Sequence, residues 1–229
     1  MPREDPRDVL VAKKGSPQVS LDNLPAGSVI GTSSVRRAAQ LARHYPHLKV
    51  EDIRGNIETR LSKLDAEDGP FTCIILAAAG LHRSQLDGRI SQYLEGKNGK
   101  MLHAVGQGAL GIEMRANDEL VRGMIERIGD KKSTLACMAE RNLLRVLEGG
   151  CSAPLGVETE WIQFSADREL LRLRSIVVSV DGKEAAEIEK DADIRTIEEA
   201  ERFGEDAAQE LVEQGAGRIL EVIQQGKNV

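Results

Sequence analysis

The chain has 229 residues, 30% of them charged and 41% hydrophobic, and a formal net charge of −6. This is ordinary globular composition, long enough for one to three domains with cores of their own. It argues against nucleic acid, which would need a local basic patch, and aromatic residues at 3% are too few for a base-stacking platform.

The opening Arg3-Glu4-Asp5-Pro6-Arg7-Asp8 is a dense charged turn that leads straight into Val9-Leu10-Val11-Ala12. It reads as the middle of a connection, with no apolar core for a signal peptide. Ser28-Val29-Ile30 is a short strand, and Gly31-Thr32-Ser33-Ser34 is a loop rich in N-cap residues. Val35, Ala38, Ala39 and Ala42 then recur at helical spacing until Tyr45-Pro46 ends the helix. Leu48 to Ile53 is the next strand, and Asn56 caps a second helix with Ile57, Leu61 and Leu64 inward. Phe71 to Ala77 is an apolar run of strand length, as a strand buried on both faces requires. A third helix starts near Ala79-Gly80. The alternation predicts a parallel α/β sheet.

Residues 94–103 are polar and glycine-rich, hence a loop, and a helix is expected from Glu119 to Ile128. Asp130-Lys131-Lys132 reads as a linker. Ser133 caps a helix with Leu135, Met138, Ala139, Val146 and Leu147 on one face. That helix runs into Leu147-Glu148-Gly149-Gly150-Cys151, where a Gly-Gly stop presents a cysteine instead of packing it. Val157–Phe164 and Leu170–Val180 are strand-like, and Asp181-Gly182 is a hairpin signal from which 183–190 pairs back. Thr196–Gln214 is a long helix with Ile197, Ala200, Phe203, Ala207 and Leu211 inward, and a short helix from Arg218 closes the chain. This last part is a separate α+β unit.

Three cysteines with no C-x-x-C spacing make neither a disulfide framework nor a zinc site. Cys73 and Cys137 sit among apolar neighbours and read as core; Cys151 is the one in a position to react. His44, His47, His82 and His103 read as surface or loop residues. Pro46 separates the first two, so no metal pair is expected. No apolar run approaches the roughly 20 residues that cross a bilayer, so a cytoplasmic protein without a membrane partner is expected.

Between Ser28 and Lys63 there are seven Lys/Arg against three Asp/Glu, inside an acidic chain. Arg36 and Arg37 open one helix, Arg54 ends a strand just before the Asn56 cap, and Arg60 lies one turn into the next helix. Guanidiniums and helix N-termini at the carboxyl ends of parallel strands describe an anion-binding crevice. Arg83 and Arg89 are candidates for the same edge. Gly106-x-Gly108-x-x-Gly111 matches a dinucleotide fingerprint in letters only. The strand–helix context is absent, Ile112-Glu113-Met114 continues strand-like, and the glycines instead suggest a close backbone crossing.

The motifs together resemble one family, the porphobilinogen deaminases. They are Arg3 to Asp8; Leu24-Pro-Ala-Gly-Ser-Val-Ile-Gly-Thr-Ser-Ser-Val-Arg-Arg37; Ile53-Arg-Gly-Asn56; Thr59-Arg-Leu-Ser-Lys-Leu-Asp65; Ile74 to Ala77 with Ala79-Gly-Leu81; Ala104-Val-Gly-Gln-Gly-Ala109; and Leu147-Glu-Gly-Gly-Cys-Ser-Ala-Pro154. They occur in the family's order. The resemblance implies a dipyrromethane cofactor, thioether-linked to Cys151. On it four porphobilinogen units are joined, with loss of ammonia, into the linear tetrapyrrole hydroxymethylbilane.

By motif position Arg36, Arg37, Arg54, Gly55, Asn56, Arg60 and Arg83 would bind the carboxylates of cofactor and substrate. Ser33 and Ser34 would supply helix N-terminal hydrogen bonds, and Gln107 would line the cleft between the first two domains. The implied architecture is a periplasmic-binding-protein-like α/β domain at 9–103, after a remnant of a first domain at 1–8. Residues 104–129 return to that first domain, and 130–229 form the C-terminal α+β domain carrying the cysteine. Most of the family's first domain, with its Ser-x-Lys-Asp motif, has no counterpart here. Gln107 is therefore expected to face no partner domain, and the chain to be a truncated form, poorly active or limited to binding. A monomer is expected.

Overall fold

The structure is a computed structural model and describes residues 1–97, 99–147 and 153–226. Its first unit is a five-stranded sheet in the order β3-β2-β4-β1-β5. The strands are β1 (Asp8–Ala12), β2 (Val29–Gly31), β3 (Lys49–Glu51), β4 (Cys73–Ala77) and β5 (Ile90–Leu94). β2 pairs in parallel with β3 and with β4, as the alternation predicts. β1 runs antiparallel between β4 and β5, which makes the sheet mixed. β5 is not legible in the sequence because Ser91, Gln92 and Tyr93 break its apolar pattern.

Three helices follow the three parallel strands: α1 (Val35–His44), α2 (Ile57–Asp65) and α3 (Ala78–Arg83). Ser34 and Asn56 cap the first two, each accepting from the backbone N–H three residues on. β4 lies between helix-covered faces, so Ile74 and Ile75, both fully buried, point to opposite clusters. Burial of such side chains contributes roughly 1.5–3 kcal/mol each.

From residue 104 the chain crosses back over the segment at 3–8. Gly108, at φ +81°, passes so close that an added Cβ would lie 2.5 Å from the Glu4 carbonyl oxygen. The expected close backbone crossing is thus present. Residues 110–115 form no strand, contrary to the reading of Ile112-Glu113-Met114, since no strand among the described residues pairs with them. α4 (Glu119–Ile128) is capped by Asp118 and buries none of its residues.

The C-terminal unit begins at α5 (Lys131–Val146), capped by Asp130 rather than Ser133, so the expected linker is the first turn of the helix. Asp130 wins because its carboxylate accepts from both the backbone and the hydroxyl of Ser133. An antiparallel sheet follows, β6 (Leu155–Ser165), β7 (Arg168–Val178) and β8 (Ala185–Ala192), with the Asp181-Gly182 turn between the last two. α6 (Ile197–Glu213) and α7 (Ala216–Gly226) cover it. Ile197, expected inward, is exposed at the first turn, where the helix overhangs its core. Gly204 of α6 lies against the backbone of α5 at Ala139. One core cluster runs from Leu135 to Leu220, distinct from those of the first unit. The units meet where Ala39 of α1 packs with Leu102, Ile176 and Val178. Among the described residues no helix is long and apolar enough to cross a membrane.

Candidate functional site

The loops after β2, β3 and β4 share one edge of the sheet, and the helix N-termini face it. The antiparallel course of β1 brings its first residue to the same edge, since Asp8 pairs with Ala77, the last residue of β4. Asp8 is fully buried there, among residues predicted to bind anions. Arg36 donates from Nη1 to Asp8 Oδ2 at 2.7 Å and to the Leu102 carbonyl at 2.6 Å. Arg37 donates from Nη2 to Asp8 Oδ1 at 2.7 Å and from Nη1 to the Ile75 carbonyl at 2.8 Å. Gln107 donates from Nε2 to Asp8 Oδ1 at 2.9 Å and to the Pro6 carbonyl at 2.7 Å. Gln107 finds these partners within the chain, because the returning segment folds onto residues 4–8.

Burial pushes the Asp8 carboxyl up, but the Arg36 and Arg37 guanidiniums outweigh it and hold it well below the usual carboxylate range. It is a fixed anion. Two buried guanidiniums against one carboxylate leave the cluster with an excess of positive charge. The Arg37 Nε–H, also buried, has no hydrogen-bond partner among the described residues.

Arg60 donates to the Gly55 carbonyl at 2.7 Å and lies near enough to Arg37 that burial and this like charge lower its pKa. Gly55 takes φ +124°, with Thr59 where a Cβ would stand. Asn56 is spent on its cap. Arg54 is exposed beside Asp52 at 3.4 Å. Ser34 caps α1 as expected. Ser33 caps nothing: its hydroxyl donates to Ile53 O and accepts from Ile53 N, tying the first arginine loop to the second.

Arg83 donates to the Gly108 carbonyl and borders a separate groove of about 690 Å³ between residues 1–4, 106–112 and α4–α5. Arg89 pairs with Asp65 and the Ala12 carbonyl, at the opposite edge of the sheet, so it does not join the array. Glu148 to Ser152, and with them Cys151, lie outside the described residues. Cys73 is core, its thiol pushed by burial to about 12. Cys137 is only half-buried and lines the groove, because that face of α5 turns toward Arg3.

Sequence reasoning misses three residues. Asp8 had a signal, an acidic residue opening an otherwise apolar strand. Glu140 is fully buried on the α5 face that holds Ala136 and Leu143. It accepts from Arg3 Nη1 and Nη2 at 2.6 and 3.0 Å, Thr159 Oγ1 at 2.6 Å and Gly106 N at 2.8 Å. This knot joins the opening segment, the returning segment and the C-terminal unit. His103 is also buried, not a surface residue, because its backbone bridges to Val157 at the seam between the units. Its Nδ1 lies 3.0 Å from the Ala104 carbonyl, and Nε2 has no partner among the described residues.

The donor set suits a ligand with several carboxylates: guanidiniums at a helix N-terminus, in excess over the one buried acid that holds them. Among the described residues no cluster of His, Cys, Asp and Glu could hold a metal ion.

Comparison with known proteins points the same way. Residues 1–123 match the family model described as porphobilinogen deaminase, dipyromethane cofactor binding domain, and residues 134–213 match porphobilinogen deaminase, C-terminal domain. The chain is 53% identical over 224 residues to a porphobilinogen deaminase of Yarrowia lipolytica, covering 96% of this chain and 63% of that protein. It is 50% identical over 231 residues to one of Neurospora crassa, covering 98% and 67%. With one of Saccharomyces cerevisiae it shares 48% over 222 residues, covering 96% and 66%. The chain thus spans about two thirds of the length of the curated relatives it matches.

Proposed function

This chain belongs to the porphobilinogen deaminase family, and we propose that it binds carboxylate-bearing pyrroles in the arginine array and carries a dipyrromethane group on Cys151. The observation that carries the reading is the buried cluster of Arg36, Arg37 and Gln107 around Asp8, with its surplus of positive charge and a spare Arg37 N–H. Held on Cys151, the dipyrromethane would supply a covalent primer for joining porphobilinogen units, with loss of ammonia, into hydroxymethylbilane. Arg36, Arg37 and Arg60 hold carboxylates at the buried end of the crevice, and Arg54 reaches them from its exposed rim. Ser34 and Asn56 cap and fix the two helix N-termini that face the ligand, Ser33 fixes the loops that carry them, and Gly55 admits the turn before Asn56. Gln107 closes the crevice from the returning segment, and Arg83 meets ligand beyond it.

The division of the chain follows the same reading. Residues 9–103 are the α/β domain, 104–129 belong with 1–8 to a further domain, and 130–229 form the cysteine-bearing domain. The exposed Leu120, Met124 and Ile128 of α4, an apolar stripe, support assigning 104–129 to a further packing partner. The protein works in the cytoplasm as a monomer.

A second reading, binding without turnover, is favoured by one observation. Asp8, the acid inside the array, has both oxygens taken up by Arg36, Arg37 and Gln107 and presents neither to a ligand. Both readings are tested by expressing the chain in cells supplied with porphobilinogen. Intact mass of the purified protein should show a two-pyrrole adduct, absent from Cys151→Ser; an unmodified Cys151 rules the covalent reading out. Ammonia and tetrapyrrole release from the loaded protein favour turnover, and an adduct with no release favours binding alone.

A further inference from the structure

We infer that Asp8 is the positioning residue of the carboxylate site: it holds Arg36, Arg37 and Gln107 in one array whose remaining N–H groups are left for the carboxylates of the ligand. The inference rests on the pyrrole-binding reading and adds to it a residue that supports the site from behind.

The geometry is specific. Asp8 stands at the head of a strand locked on both sides, by β4 and by β5, so its backbone cannot yield. Its two oxygens are divided, Oδ2 to Arg36 and Oδ1 to Arg37 and Gln107. The second anchor of each guanidinium is main chain, the Leu102 carbonyl for Arg36 and the Ile75 carbonyl for Arg37. Each arginine is thereby held at two points, and a guanidinium so held keeps its fork in one plane. Three stretches distant in sequence, β1, the start of α1 and the returning loop, converge on this one carboxylate.

The charge works in the same direction. Without Asp8 two buried cations would repel each other and turn outward. With a second acid the array would be neutral and would attract no anion. One carboxylate between two guanidiniums keeps both inward and leaves a net attraction for carboxylates. The Arg37 Nε–H, without a hydrogen-bond partner among the described residues, is a donor already desolvated, so a ligand oxygen that reaches it displaces no hydrogen bond.

Asp8→Asn is the discriminating change. The amide keeps one acceptor but puts an NH2 against a guanidinium, donor against donor. In a Cys151→Ser background, which excludes covalent attachment, porphobilinogen is titrated while the arginine Nε–H resonances are followed by 1H–15N NMR. The expected result is a dissociation constant raised at least tenfold by Asp8→Asn. The amides of the C-terminal unit should stay unshifted, which a general loss of structure would not allow. The fraction of adduct on Cys151 should fall in parallel when Asp8→Asn is made alone.

Binding within twofold of the parent overturns the inference, as does a parent whose arginine resonances do not respond. Arginine shifts that Asp8→Asn abolishes, in a chain whose Cys151 never takes up an adduct, uphold the positioning role and refute only the covalent reading. Should Asp8→Asn not fold, Gln107→Leu, which removes one donor from Asp8 and leaves both ion pairs, is expected to weaken binding about threefold; unchanged binding in that variant overturns the inference.

Discussion

Replacing Glu140 by glutamine should destabilise the chain more than any single change at its surface. The carboxylate is fully buried, and the Arg3 side chain that faces it is only 9% exposed. It accepts four hydrogen bonds, two from Arg3 and one each from Thr159 and Gly106. Glutamine keeps the shape but removes the charge and turns an amide NH2 toward the guanidinium. Arg3 is then a buried cation without a counter-ion, since its other side-chain partners are the Gln107 carbonyl and the Thr159 hydroxyl. Breaking a buried pair by removing one partner costs about 3–5 kcal/mol. For a chain of this length that lowers Tm by roughly 6–20 °C, at about 2–4 °C per kcal/mol. Urea unfolding followed by the fluorescence of Trp161, the one tryptophan, reads it. The double change Arg3→Met with Glu140→Leu replaces the pair by apolar volume and should recover most of the loss. A Glu140→Gln cost below about 1 kcal/mol, or a double variant no better than the single one, would refute the reasoning.

Acid should act in two stages. Burial pulls His103 and His44 below the usual imidazole value, so the unfolded chain takes up protons first as pH falls through about 6.5, and stability begins to drop there. Asp8 and Glu140 are held low despite burial, Asp8 by Arg36 and Arg37, and Glu140 by its neighbours His103 and Arg3. Their contribution is present above about pH 4 and is lost as pH falls through the folded values. Unfolding free energy measured from pH 8 to 3 checks both stages, and a flat stretch between pH 7 and 5 contradicts the histidine part. Gly204→Ala forces a methyl onto the Ala139 carbonyl and should cost about 1–3 kcal/mol by urea unfolding. Cys73→Ser buries a hydroxyl in an apolar strand and should cost about 1–3 kcal/mol while leaving the adduct in place. Cys151→Ser should abolish the adduct, and equal adduct loss in both, by intact mass, would contradict the assignment.

The sequence by itself settled what depends on a few neighbouring residues. Ser34 and Asn56 announce their helices because a cap acts within three residues, and Asp181-Gly182 announces its turn for the same reason. The run from Phe71 to Ala77 announces a buried strand by its apolarity alone. The arginines of the site were legible as types at helix starts, and the motif order pointed to the family.

Which way they point was decided only by tertiary structure. The direction of β1 is set by its pairing with β4 and β5, and nothing within residues 8–12 encodes it. That direction carries Asp8 to the edge where Arg36 and Arg37 stand, 28 and 29 residues away. Glu140 meets Arg3 across 137 residues, and no periodicity relates them. Local patterns choose helices and strands because capping and hydrophobic periodicity act over a turn or two. A buried charge finds its partner only after the layers have packed, since desolvation, which makes the pairing obligatory, does not exist in the unfolded chain.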